Sequence, residues 1–320
     1  MPAKGREMPA KATTKKKPLK TRLVLSLPVY LMMLPGLLYL FCNNYLPMFG
    51  IIIAFKKVNW SLGLMKSPWA GLDNFEFLLK SRETARMIRN TVLYNIVFIV
   101  LGTILAIAVA ILLNEIYSKF FKSTYQSLIL LPYLMSWVVV SYLAYAFLSN
   151  ETGFVNNSLL PALGKDPVNW YQNARYWPFI LTFVNFWKSI GFNMVIYYSS
   201  IMGISAEYYE AARLDGAGKW KQITNITIPL LRPTVITLFI MSVGRIFASD
   251  FGLFYQIPRN QGALYATTQT IDTYVYNALM RLGNISMSSA ASVLQSIVGF
   301  ILVIVANAIV RRYEENSALF

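Results

Sequence analysis

Three ionisable side chains, Lys188, Arg245 and Asp250, interrupt otherwise apolar stretches of this 320-residue chain. Charge in such surroundings is costly and marks a water-filled path or a partner charge. Near them Asn185, Trp187 and Asn193 place two amides and an indole in the same apolar surroundings. A second constellation lies between two apolar runs: Glu207, Glu210, Arg213 and Asp215, acids and a base on a helix-prone block closed by Gly216 and Ala217. In a membrane protein such a block faces water, where a soluble partner can grip it. Histidine is absent and Cys42 is the only cysteine. An intrachain disulfide, a His- or Cys-based metal site and a His-dependent triad are therefore excluded, and no residue reads as a catalytic group or metal ligand. Gly216-Ala217-Gly218-Lys219 invites comparison with a phosphate loop, which needs Gly, four residues, then Gly-Lys-Ser/Thr. Arg213 stands where the first glycine belongs and Trp220 where the hydroxyl belongs, so this chain is expected to bind no ATP.

The elements that must hold these residues are apolar. The chain is 56% hydrophobic and 13% charged, and its apolar runs repeatedly reach the roughly 20 residues that cross a bilayer as helix. Six spans are expected: 23–42, 92–113, 128–148, 177–202, 234–255 and 290–310. Pro28 and Pro35 in the first and Pro132 in the third are tolerable kinks. Cys42 reads as a small buried or lipid-facing residue. The net charge of +15 does not imply nucleic acid, because eight Lys/Arg precede the first span. They read as a cytoplasmic tail over 1–22 attracted to anionic lipid, with a transmembrane domain over 23–320. Lys and Arg favour both termini and a loop at 205–233 on the cytoplasmic side, with 16 on the inside segments against 11 outside.

Local signals add detail. Asp73 or Asn74 could cap a short outer amphipathic helix at about 71–80 whose apolar side includes Phe75, Leu78 and Leu79. Trp170, Tyr171, Tyr176 and Trp177 have the aromatic richness of a membrane interface. In the polar block, Ser205 is the expected cap, and Asp215-Gly216 the stop, through the left-handed geometry open to glycine. A second helix from Ala217 should carry Trp220, Ile223 and Thr227 on one side, with Pro229 and Pro233 ending it before the fifth span.

Glu210-Ala211-Ala212, then Gly216 after three residues, Ile226 and Pro229 resemble the signature loop of permease subunits of binding-protein-dependent ABC importers. Asp215, Ala217 and Leu230-Leu231-Arg232-Pro233 extend the resemblance to the maltose-type carbohydrate branch, and within it to large-oligosaccharide permeases. Gly71-Leu72-Asp73-Asn74-Phe75 and Asn90-Thr91 agree; Ile223, where the family often has Phe, departs but stays apolar. The resemblance implies an all-α membrane protein with six transmembrane helices, both termini cytoplasmic and a type I importer permease architecture, in the bacterial cytoplasmic membrane. It implies that Glu207, Glu210, Ala211, Ala212, Arg213, Asp215, Gly216, Ala217 and Pro229 couple to an ATPase. Its partners would be a second homologous permease, two ATP-binding subunits holding ATP and Mg, an extracellular solute-binding protein and the bilayer, with no nucleic acid. By the same analogy Asn185, Trp187, Lys188, Asn193, Arg245 and Asp250 line the substrate pathway, with Tyr197 and Tyr255 as further candidates.

Plainer roles stay open for each. Arg245 and Asp250, five apart, do not face one another on a helix and could pair with another subunit; Lys188 could snorkel to a headgroup and Trp187 anchor an interface. Two cations against one acid within the spans, and 11 bases against six acids outside, hint at a uronate-containing oligosaccharide, with a neutral one nearly as well matched. A different small solute is an alternative. A stand-alone secondary transporter would show inverted repeats and a coupling carboxylate, and an intramembrane enzyme a convergent nucleophile and base.

Overall fold

The computed structural model describes residues 19–281 and 283–313. The basic tail expected over 1–22 therefore lies almost wholly outside the described residues. The chain divides into two units, 1–51 and 52–320. In the first, α1 (Leu19–Leu40) carries Pro28 and Pro35 within the helix and continues into a π-turn at Phe41–Tyr45.

The second unit is built from α2 (Asp73–Lys80), α3 (Arg82–Asn114), α4 (Lys119–Leu134), α5 (Trp137–Leu148), α6 (Trp177–Met202), α7 (Ala206–Leu214), α8 (Lys219–Val243), α9 (Ile271–Met280) and α10 (Ile285–Tyr313). Helix is the regular structure throughout, beside one bridge between Lys56 and Trp69. Among the described residues five helices are long and apolar enough to span a membrane, or six if α4 and α5 form one broken span.

The centre of this unit is the pairing of α3 with α6, which α4 also contacts. Ser81 starts α3 by accepting the Glu83 amide, with Glu83 itself favourable in the first turn. Small residues on α3, Ala106 and Ala110, let Met194, Tyr197 and Ile201 of α6 pack close, and Leu113 and Leu231 complete this cluster. A second cluster gathers Tyr94, Val140, Trp177, Leu181, Leu253 and Phe254 about the start of α6. Polar ground is left between them. Gly191 permits the contact with α4, since a Cβ there would stand 2.2 Å from the Ile129 carbonyl oxygen.

Five local expectations change. The third span is not one kinked helix: α4 and α5 meet at 95°. Pro132 weakens the last turn of α4, residues 135 and 136 turn extended, and Ser136 accepts the Val139 amide to start α5 afresh. The fifth span begins earlier than its hydropathy suggested and ends at Val243, because Pro229 and Pro233 lie inside α8 rather than ahead of it. A π-turn at Ile223–Thr227 just upstream alters the carbonyl spacing that an ordinary helix would set against the proline rings. That wider turn also rotates the register, so Trp220 is exposed while Thr227 is buried. At α2 neither Asp73 nor Asn74 caps; Asn74 donates instead to the Ala54 and Lys56 carbonyls, and Leu78 alone of the apolar set is fully buried. Trp177 is core rather than interface, its indole N–H satisfied at 2.7 Å by the Trp170 carbonyl.

Candidate functional site

Residues 185, 189, 193 and 197 step by four along α6 and so share one face. They are Asn, Ser, Asn and Tyr. Opposite them α3 presents Asn95, Phe98, Gly102 and Thr103, while Ser242 near the end of α8 and Arg245, Ser249 and Asp250 from the chain after it complete the lining. Together they line a cavity of ≈ 480 Å³ at the polar level between the two apolar clusters.

Arg245 and Asp250 reach this cavity because they are not on a helix. From Gly244 to Asp250 the backbone is unwound, which at membrane depth is tolerated only where protein or a water-filled cavity satisfies the freed groups. Side chains from three helices do so. Asn95 Nδ2 donates to the carbonyls of Ile246 and Ala248, both at 2.9 Å. Gln295 Nε2 donates to the Phe247 carbonyl at 2.6 Å. Asp272 accepts from the Ser249 amide and hydroxyl at 2.6 and 2.8 Å. Asp250 in turn accepts from Trp137 Nε1 at 3.0 Å and from the Leu253 amide at 3.2 Å. The unwound segment thus brings both Arg245 and Asp250 to the wall of the polar cavity. Its lining amides, hydroxyls and charges can make several hydrogen bonds to a polar solute.

Of the residues singled out from the sequence, Asn185, Asn193, Tyr197, Arg245 and Asp250 line this cavity. Trp187, two residues on from Asn185, faces the other way into an apolar groove with Phe179 and Phe183. Lys188 is buried beside α4: its Nζ donates to the Tyr133 carbonyl at 2.8 Å and lies 5.4 and 5.0 Å from the rings of Tyr133 and Trp137. It caps the broken end of α4. Tyr255 stacks on Phe251 at 4.7 Å, and Tyr276 meets it edge-on at 4.9 Å. Asn95 escaped the sequence reading, although an amide within an apolar span is the same signal that selected Asn185 and Asn193.

The 205–233 block is rigidly built at the other end of α6. Ser205 accepts the Glu207 amide to start α7, and Gly216 at φ +75° ends it. Ala217 N–H returns to the Ala212 carbonyl at 2.8 Å and Gly216 N–H to Arg213 at 3.1 Å, the paired bonds of a Schellman stop. Tyr209 and Thr227 share a hydroxyl bond at 2.9 Å, Gln222 Nε2 donates to the Ala217 carbonyl, and Lys219 pairs with Glu115 at the end of α3 at 2.6 Å. Glu207, Glu210, Ala211, Arg213, Asp215 and Pro229 are exposed, whereas Ala212 and Ala217 are half-buried. Leu214 and Trp220, which the sequence reading did not assign to this contact, are 90% and 76% exposed. Large apolar side chains among charges on a braced helix suit a protein partner.

Comparison with known proteins agrees with this geometry. The family described as "Binding-protein-dependent transport system inner membrane component" matches residues 84–315. The chain is 32% identical to the polygalacturonan/rhamnogalacturonan transport system permease protein YteP of Bacillus subtilis (strain 168), over 95% of this chain and 94% of that protein. A bacterial ABC transporter involved in the import of the acidic polysaccharide alginate contains a chain that superposes with a TM-score of 0.84 at 31% identity, covering 92% of this chain and 99% of that one. The same comparison with a bacterial alginate ABC transporter in complex with alginate pentasaccharide-bound periplasmic protein gives 0.83 at 31% identity, over 92% and 98%.

Proposed function

The chain belongs to the inner membrane components of binding-protein-dependent transport systems, and from that premise we propose that it is the permease subunit of an ATP-driven importer that passes oligosaccharides through the cavity between α3 and α6. The observation that carries this reading is the placement of two features on one helix. The polar cavity lies along α6, and the braced, partner-ready block follows the end of that same helix. A movement imposed on α7 is thereby transmitted to the walls of the path.

In this reading both termini and the 205–233 block face the cytoplasm in a bacterial plasma membrane, as the lysine and arginine distribution favours. The transmembrane domain runs over 23–320, preceded by a basic tail over 1–22. Glu207, Glu210, Arg213 and Asp215 make ionic contacts with an ATP-binding subunit, while Ala211, Ala212 and Ala217 allow close approach. Two such subunits supply ATP and Mg; this chain holds neither and is no enzyme. A second homologous permease closes the pathway, and a solute-binding protein delivers substrate from outside. Asn185, Asn193, Arg245 and Asp250 touch the passing sugar, whereas Lys188 and Trp187 shape the surrounding helices. The names of the relatives, polygalacturonan, rhamnogalacturonan and alginate, favour an acidic saccharide.

The test is ATP hydrolysis by the co-purified complex, with and without loaded binding protein. Sugar-dependent stimulation that is lost in Gly216→Pro and reduced in Glu210→Ala is expected. Unchanged stimulation in both variants contradicts the coupling role.

A further inference from the structure

A second, smaller cavity carries cationic groups that the central pathway does not use. Its ≈ 250 Å³ are lined by Ser141, Tyr142, Tyr255, Gln256, Arg259 and Arg281, among others, and none of its lining residues is acidic. Among the described residues neither arginine forms an ion pair. Arg259 also lines an adjoining cavity with Glu151, Tyr171 and Gln172, the last two immediately before α6. The site is therefore at the start of α6, roughly 39 Å along the helix from the 205–233 block at 1.5 Å per residue.

The backbone that presents Arg259 is strained. Arg259 and Asn260 have φ of 55° and 49°, the two non-glycine residues with positive φ among those described. Such outliers persist only where surrounding structure holds them, and they cluster at functional sites. Here the restraint is an amide pair: Asn260 Nδ2 donates to Asn277 Oδ1 at 3.0 Å, and Asn277 Nδ2 donates back to Asn260 Oδ1 at 3.2 Å. Tyr265 donates to the same Asn260 oxygen at 3.0 Å. Asn277 also accepts the Arg281 amide through its carbonyl at 2.9 Å. One asparagine thus ties the segments bearing both guanidinium groups. The Arg259 guanidinium lies 4.3 Å from the centre of the Tyr145 ring, and Tyr255 is fixed by its contacts with Phe251 and Tyr276.

Both arginines are exposed and line the same small cavity, and guanidinium groups match carboxylates in a planar, two-bond geometry. Ser141, Gln256 and the tyrosines supply the hydroxyl partners and ring faces that suit a pyranose. The volume is below the ~300 Å³ at which sites for drug-sized molecules begin, which favours a single sugar unit. Eight residues of chain separate Arg259 from Asp250 in the central cavity. We propose that Arg259 and Arg281 form a carboxylate-binding station, where one uronate unit of an incoming oligosaccharide is held before the chain passes to the cavity containing Arg245. The proposal rests on the importer reading above and deepens it by naming the charged group selected.

The test uses the full importer with its binding protein in proteoliposomes, and two probes: trigalacturonate and its fully methyl-esterified, uncharged form. In Arg259→Gln/Arg281→Gln the uptake rate of trigalacturonate relative to the ester should fall about tenfold or more, the scale expected for lost charge-assisted bonds. Capture of loaded binding protein should not change, and Arg281→Lys in the otherwise native chain, which keeps the charge but not the two-bond geometry, should keep only part of the preference. An unchanged acid-to-ester ratio in the double variant overturns the station. So does an equal loss for both probes with weakened capture, which would assign the arginines to carboxylates on the binding protein. Uptake of neither probe by the native complex has a different signature and overturns the acidic-oligosaccharide importer reading together with the station.

Discussion

Alanine at position 216 must adopt the left-handed backbone that glycine takes there without penalty. The cost is about 1 kcal/mol, concentrated at the stop of α7. Gly216→Ala should reduce sugar-stimulated ATP hydrolysis several-fold, and Gly216→Asn less, since Asn tolerates that geometry; enzyme assays on the purified complex decide. Gly216 was legible in advance because its reason is local: a helix ends, and glycine follows Asp215. Lys188 was not. Its partner is the Tyr133 carbonyl, 55 positions away in sequence, freed by a helix break that no periodicity shows. Lys188→Met leaves that buried carbonyl without its donor and should cost about 1–3 kcal/mol. The expected sign is a lower melting temperature in detergent, with Lys188→Arg milder. A melt unchanged in Lys188→Met contradicts the capping role.

At the scale of elements, the helices were readable and their ends were not. Apolar runs locate α3 and α6 well, because each helix is continuous and its hydrophobic stretch is long. The run at 234–255 misplaced α8, because hydropathy cannot tell helix from the unwound segment 244–250 that follows Val243. Pro229 and Pro233 appeared to mark a boundary, but the π-turn at Ile223–Thr227 lets the helix pass through them. Packing between elements is sharper still. Gly191 brings α6 against the α4 backbone, and Gly191→Ala places a Cβ 2.2 Å from the Ile129 oxygen unless the helices part. A loss of about 1–3 kcal/mol is expected for overpacking of this kind. Thermal unfolding of the purified chain checks it, and stability equal to the native protein would mean α4 and α6 have room to separate.

The whole molecule assembles its polar cavity from three segments distant in sequence: 95–103, 185–197 and 238–250. Composition gave the solvent, and the Glu207–Pro233 signature gave the kinship, but neither could join these segments into one cavity. Asn95 shows the difference. Alone it is an isolated amide in an apolar span; in the fold it satisfies two carbonyls of the unwound segment that presents Arg245. Asn95→Leu should therefore cut uptake at least tenfold through misplacement of Arg245, while leaving assembly with the ATPase intact in a pull-down. Loss of assembly with uptake would instead make Asn95 a general folding residue. Nor could sequence alone show that the cavity lies along the same helix, α6, whose end leads into the 205–233 block, on which the proposed mechanism depends. That mechanism is most directly tested by uptake of trigalacturonate into proteoliposomes, with ATP and each subunit supplied or withheld. Uptake that requires ATP, the binding protein and the ATPase subunits, and disappears in Gly216→Pro, is the expected result. Accumulation in ATP-free vesicles containing this chain alone would contradict it.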